Sequence, residues 1–504
     1  MFKSWKFFAS PAEKVGGIFS LLIKAILAIL LLASVSIVFY SSFSSQARWL
    51  RCSRCEGRVR NYGDQSETVR RISSEGYNER MGVSHILFGI GGSLKTWKDR
   101  RYYSELWWKP NITRGFVWLD DEPDNKDPWP ETSPPYRVSD HSSTLKYAKL
   151  YCSRPALRLA RIVLESFQLG LENVRWFVMG DDDTVFFVEN LVSVLSKYDH
   201  NQMYYVGGNS ESVEQDVMHS YDMAFGGGGF AISYPLAAEV VKVLDGCIDR
   251  YASLYGADQM IQACLSEIGV PLTKESGFHQ VDIRGDPYGL LASHPVAPLV
   301  SLHHLDYVKP FFPTETQLES VRRLYGAYKA DPGRTLQRSF CYDIKHNWSV
   351  SVSWGYTAQI YPYLLTAKEM ESALQTFQTW RSWSNGPFTF NTRPLSGLAP
   401  CERPLIYLLE QVNNDEIGQR QTLTTYKRFV EDPGPGVVCN QSIYGAALAA
   451  YYVSVSASKF DGGEWKKAPR RQCCEIIHTN GTDSIVQVKI RSCKPNETFT
   501  LPWT

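Results

Sequence analysis

One run constrains the fold of this chain more than any other: Trp176-Phe177-Val178-Met179-Gly180-Asp181-Asp182-Asp183-Thr184-Val185-Phe186-Phe187. Its apolar start reads as a buried strand, the strand stops at three consecutive carboxylates, and a second apolar run follows at once. Adjacent acids repel one another, so their collection at a buried strand end calls for a compensating cation. Hard divalent ions such as Mn2+ or Mg2+ take one or two carboxylates together with phosphate oxygens, which makes a metal with a diphosphate the natural occupant. The competing account is a solvated turn that caps a helix over 189–197.

The surroundings of this run alternate in character. Short apolar runs at 85–89, 115–119 and 175–179 predict buried strands, and Leu157, Ile162, Leu164, Phe167 and Leu171 recur at roughly helical spacing over 155–171. Strands alternating with helices over 81–334 predict an α/β unit on an open, mostly parallel sheet, whose ligand crevice lies beyond the carboxyl ends of the strands. After residue 335 the pattern changes. Trp348, Val350, Val352, Trp354 and Tyr356 alternate with serines and a glycine as in a half-buried strand, and Val486, Val488 and Ile490 repeat the period. Residues 335–504 therefore predict a separate β-rich domain, supported by disulfides among its six cysteines.

With 53 basic against 52 acidic side chains and 44% apolar residues, the 504-residue chain is neither disordered nor a polybasic binder, and no nucleic-acid partner is expected. The apolar stretch over 15–40 exceeds the usual length of a cleaved signal segment and predicts a transmembrane signal anchor behind a cytosolic tail, 1–14. Cleavage after Ser45-Gln46-Ala47 is the alternative. All eleven cysteines and five glycosylation sequons, at Asn111, Asn347, Asn440, Asn480 and Asn496, follow that stretch, which places the body in an oxidising lumen. Residues 41–80, with eight Arg and no Lys, read as a stem that contains Cys52 and Cys55.

A second signal is Phe225-Gly226-Gly227-Gly228-Gly229-Phe230, where glycines permit positive φ and close approach of the backbone to a ligand, or else a mobile hinge. Gly89-Ile90-Gly91-Gly92 invites a dinucleotide reading that fails, because Leu94 stands where the third glycine belongs.

The order of strand, Asp181-Asp182-Asp183, glycine segment, Tyr255-Gly256-Ala257-Asp258 and Gly277-Phe278-His279 resembles the fringe-like β-1,3-glycosyltransferases over about residues 83–312, and is most similar to their plant fringe-related branch. The resemblance implies a GT-A type sugar-nucleotide-binding domain, inversion at the anomeric carbon, a UDP-sugar donor and Mn2+ (or Mg2+). It assigns the metal to Asp183 and His279, with His294, His303 and His304 as nearby alternatives to the histidine. It assigns donor contacts to Asp181 and Asp182, to Arg100 or Arg101, to the backbone at Gly227 and Gly228, and to Asp121 facing the uridine. Asp258 is the implied general base.

The expected protein is thus an α/β, GT-A type enzyme with an N-terminal transmembrane helix and a C-terminal β-rich domain. It would sit in the Golgi membrane as a single-pass type II protein, with the endoplasmic reticulum as the alternative. It would move a sugar from a UDP-sugar to a hydroxyl of a glycan or glycoprotein acceptor, in β-1,3 linkage. Two rival readings share its features. One is a non-catalytic glycan-binding protein, in which Trp348, Trp354, Trp380 and Trp383 stack on sugars instead of packing in a core. The other is a metal-dependent phosphohydrolase.

Overall fold

Residues 86–91, 114–119 and 176–181 form neighbouring parallel strands, because their side chains are apolar on both faces and both faces are covered. The computed structural model describes residues 24, 26–31, 80–124, 128–139, 154–395, 400–414, 421–430, 445, 447–478 and 484–500. Contact grouping divides the chain into Met1–Tyr77 and Asn78–Thr504. In the first, Lys24 and Ile26–Leu31 are helical and exposed. The rest of the expected anchor, most of the stem, and Cys52 and Cys55 lie outside the described residues. Among the described residues no helix is long and apolar enough to cross a membrane.

The second unit is mixed α/β. Its seven-stranded sheet runs in the order Tyr136–Val138, Arg114–Leu119, Ile86–Gly91, Trp176–Asp181, Phe230–Ser233, Tyr205–Gly207, Leu272–Lys274, and every strand is parallel except Phe230–Ser233. Period-two alternation sorts the side chains between two cores. Leu87, Phe177 and Met179 pack under the helices Arg154–Gln168, Tyr234–Arg250 and Ala257–Ile268, the last two stapled by Cys247–Cys264. On the opposite face Ile86, Phe88, Trp176 and Val178 join Phe186, Phe187 and the strands of a second sheet.

That second sheet has eight strands: Arg338–Asp343, Trp348–Ser353, Thr357–Tyr361, Leu405–Asn414, Gln421–Phe429, Tyr452–Ser458, Ile485–Arg491 and Cys473–Ile477. All neighbours are antiparallel except Tyr452–Ser458 with Ile485–Arg491. Cys341–Cys474 staples its first strand to its last, and Cys473–Cys493 ties the last strand to the residues that follow its neighbour Ile485–Arg491. Ile485–Arg491 shows the expected alternation of buried and open residues. Trp348–Ser353 does not, being buried on both faces, and Trp354 and Tyr356 lie beyond its end. Two of its serines satisfy themselves on backbone: Ser349 Oγ donates to Tyr363 O and Ser353 Oγ to Leu291 O. A polar alternating face is thus compatible with full burial where each hydroxyl finds a carbonyl.

A separate two-stranded pairing joins the segment before residue 335 to the segment after it, in addition to the shared core. Ile283–Gly285 pairs antiparallel with Phe377–Thr379. Buried Asp331 and Arg334 form an ion pair at 3.0 Å; Asp331 also accepts from Phe460 N–H, and Arg334 donates to Gln472 and to Ser458 O.

Candidate active site

The three acids sit at the carboxyl edge of Trp176–Asp181, where an open α/β sheet places its ligand crevice. They do not cap the following helix: Val188–Leu195 starts from Phe187 and has no side-chain cap. Thr184 fixes their turn instead. Its N–H donates to Asp181 O at 3.0 Å, its hydroxyl accepts from Asp181 N–H at 2.8 Å, and the same hydroxyl donates to Gly227 O at 2.7 Å. The turn is then clamped by Phe186 and Phe187, both fully buried, each worth about 1.5–3 kcal/mol relative to an exposed ring.

The helix Leu94–Trp107 approaches from the other side, its Ser93 cap accepting from Thr96 N–H. Thr96, Arg100 and Tyr103 share one helical face. The Thr96 hydroxyl donates to Asp182 Oδ2 at 2.5 Å, Arg100 reaches Asp182 at 3.2 Å, Asp183 at 3.1 Å and Asp306 at 3.3 Å, and the Tyr103 hydroxyl donates to Asp306 at 2.6 Å. Arg101 is not part of the cluster. It pairs with Glu105 one turn along at 3.0 Å, because a neighbouring helical residue points about 100° away. Asp121 also stands apart, exposed and accepting from Glu122 N–H, while its neighbour Asp120 holds the helix start by accepting from Leu94 N–H.

The histidine beside the acids is His303. Its Nε2 lies 3.0 Å from Asp183 and 3.7 Å from Asp181, and donor atoms of these three residues all fall within 4.8 Å of one another. His279, the expected partner, instead places Nδ1 3.0 Å from Glu211. The reason is register. His279 pairs with Leu302 across parallel strands, so His303, one residue on, faces the opposite way. His304 is braced from outside: it stacks on Trp380 at 4.3 Å, with Arg284 against that ring at 3.8 Å, and its Nδ1 lies 2.9 Å from Asp282. Trp348 and Trp354 are core residues, whereas Trp383 is exposed.

The glycine segment is a structural requirement here. A Cβ on Gly227 would stand 2.0 Å from His303 Cε1, so the imidazole occupies the space that the missing side chain leaves. Gly228 N–H donates to Gln280 Oε1 at 2.6 Å. Gly226 N–H donates to Asp258 Oδ2 at 3.2 Å, and Gln259 N–H to Asp258 Oδ1 at 3.0 Å, which hangs Asp258 beside the cluster from the first turn of Ala257–Ile268.

The electrostatics separate the acids. Burial alone would raise the Asp183 carboxyl, but the His303 imidazole and the Arg100 guanidinium hold it well below the usual range. Burial would likewise lower His303, yet Asp183 and then Asp181 push it up to about 9. Burial and the neighbouring Asp183, Asp182 and Asp258 carboxylates push Asp181 up to about 7 against the pull of His303, tempered by the 37% of its side chain that water reaches. Burial raises Asp258 too, against its two backbone donors.

The donor set fits a divalent cation. Both oxygens of Asp183 are buried and receive no hydrogen bond of proper geometry, and with Asp181 and the His303 imidazole they form a cluster of two carboxylates and one ring nitrogen that can hold a divalent ion. Thr184, Thr96 and Asp306 were not visible from composition or motif, although the positions of Thr96 and Arg100 four apart on a helix carry a readable signal.

Comparison with known proteins agrees with this geometry. Residues 105–284 match the family described as Fringe-like, and residues 215–474 match the family described as Protein of unknown function, DUF604. A "Beta-1,3-glucosyltransferase" of Mus musculus is 30% identical over 153 residues, 30% of this chain and 30% of the relative. A "Beta-1,3-glucosyltransferase" of Homo sapiens is 29% identical over 154 residues, 30% of this chain and 29% of the relative. The chain thus spans about three tenths of the length of these curated relatives. By the match over residues 215–474 the chain belongs to the DUF604 family, and its residues 105–284 carry a fringe-like domain.

Proposed function

We propose that this protein is an inverting, metal-dependent glycosyltransferase that moves a sugar from a UDP-sugar to a hydroxyl of a glycan or glycoprotein acceptor, forming a β-1,3 linkage. The observation that carries the reading is the convergence of Asp181, Asp183 and His303 donor atoms within 4.8 Å at the sheet's carboxyl edge, with Asp258 next to them. Asp181, Asp183 and His303 would hold the cation, which supplies charge neutralisation for the departing diphosphate. Arg100 adds a fixed positive charge at the same place. Asp258, held by two backbone donors, takes the proton of the acceptor hydroxyl as its oxygen bonds to the anomeric carbon and the bond to UDP breaks. A single displacement of this kind inverts the centre and needs no covalent intermediate.

The names of the two relatives suggest glucose as the transferred sugar. The disulfides, and sequons Asn111, Asn347 and Asn496 that all stand exposed at positive φ, support the luminal body read from the sequence. The test is UDP release by the full chain across a panel of UDP-sugars, with Mn2+ or with chelator. Turnover is expected with one donor and none after chelation. Asp258→Asn should lose at least a hundredfold in transfer while keeping UDP affinity. Equal UDP release by Asp258→Asn and the unaltered chain would sink the reading, and sugar release without an acceptor product would favour the phosphohydrolase.

A further inference from the structure

A cavity of about 720 Å3 lies between the seven-stranded sheet and the segments that follow residue 335. Asp181, Asp183, Asp258 and His303 do not line it. Its walls hold polar groups with unmet hydrogen bonds: His279 Nε2, His294 Nε2, Asp216 Oδ2 and Arg338 Nε are buried and lack partners, in residues 93–99% shielded from water. Orphaned groups of this kind are costly unless something meets them.

The tautomers follow from the other nitrogen of each ring. His279 Nδ1 faces a Glu211 carboxylate oxygen at 3.0 Å and His294 Nδ1 faces the Pro295 carbonyl at 2.8 Å. Both partners accept, so in the neutral rings Nδ1 carries the hydrogen and Nε2 presents a lone pair. The rings stand 4.9 Å apart. Two imidazole lone pairs and a carboxylate oxygen ask for hydroxyl donors, and Arg338 Nε offers a donor in return. A metal does not suit the arrangement: among the described residues, the groups whose donor atoms converge closely enough for an ion exclude His279 and His294. Nor does a strongly charged ligand, because the lining carries four basic and four acidic side chains. Tyr221, Phe278 and Phe390 supply the apolar faces on which sugar C–H groups pack, and the volume falls within the ~300–1,000 Å3 of small-molecule pockets.

We propose that this cavity is a second carbohydrate site, which takes a neutral sugar unit of one to three residues independently of the metal cluster. Residues 389–391 close one wall, Thr389 N–H donating to Glu211 O at 3.0 Å, so the part of the chain beyond 335 completes the site.

The test uses the full chain in chelator and without nucleotide, which separates it from the transferase reading. An array of neutral oligosaccharides built from glucose, galactose, mannose, xylose and arabinose is probed first, and the strongest binder is measured by calorimetry. His294→Phe keeps the ring volume and removes the lone pair; Asp216→Asn replaces the acceptor with a donor. Each should weaken binding at least tenfold, and Asp183→Asn should leave it unchanged. A crystal soaked with the same sugar should place it against His279 and His294, a readout that stands even if a variant fails to fold. Absence of any array binder, binding that is lost with Asp183→Asn, or a sugar seated elsewhere overturns the proposal.

Discussion

At the scale of single residues, the site depends on what is missing as much as on what is present. His303 occupies the volume that a side chain at Gly227 would fill. Gly227→Ala therefore displaces the imidazole or strains the loop, an overpacking cost of about 1–3 kcal/mol. Calorimetric titration with UDP in Mn2+ should show affinity reduced at least tenfold, whereas affinity equal to that of the unaltered chain would mean that His303 has room to move. The same residues mark the limit of reading a site from sequence. Asp181 to Asp183 were legible, because they end a strand whose apolar run is clear, whereas Asp258 and the choice of Arg100 or Arg101 came from the fringe-like resemblance. The choice between His279 and His303 was not legible, since it turns on the register between two strands of two residues each, and a shift of one position reverses the face. Arg101 and Asp121 stand apart from the acid cluster by similar single steps along a helix and a strand end.

At the scale of elements, the turn 331–334 shows how the second sheet is anchored. Asp331 is the charge partner of fully buried Arg334 and also accepts from Phe460 N–H. Asp331→Asn keeps the shape and leaves Arg334 buried without its counter-charge, at a cost of about 3–5 kcal/mol. Urea unfolding followed by tryptophan fluorescence should show the midpoint falling with the slope unchanged; a shift equivalent to less than about 1 kcal/mol would mean that water reaches the pair. Element prediction succeeded best where two faces demanded apolar residues, as in Ile86–Gly91 and Trp176–Asp181, and in the helix Arg154–Gln168. It was least informative for Trp348–Ser353. There an alternating sequence signalled one open face, and two of the serines instead found backbone acceptors inside the protein.

At the scale of the whole molecule, two sheets share one core and one cavity, and one cross-link spans a long stretch of sequence. Cys341–Cys474 closes a separation of 133 residues. Replacing both cysteines by serine should lower stability by about 2–5 kcal/mol through the larger entropy of the unfolded chain. Thermal unfolding under non-reducing conditions checks this, and a midpoint unchanged by the double replacement would show that the neighbouring Cys473–Cys493 link and the sheet hydrogen bonds suffice.

The pairing of Ile283–Gly285 with Phe377–Thr379 has a consequence in time. A ribosome delivers Gly285 before Phe377, and at ~5–20 residues per second the gap between them lasts roughly 5–20 s. Throughout that interval the earlier strand presents a bare edge, and the walls that hold His279 and His294 lack their closing segment. The nascent protein therefore passes through a stage in which this strand is unpaired and its pocket lies open, and during that stage it is a natural client for chaperones that shield unpaired strands.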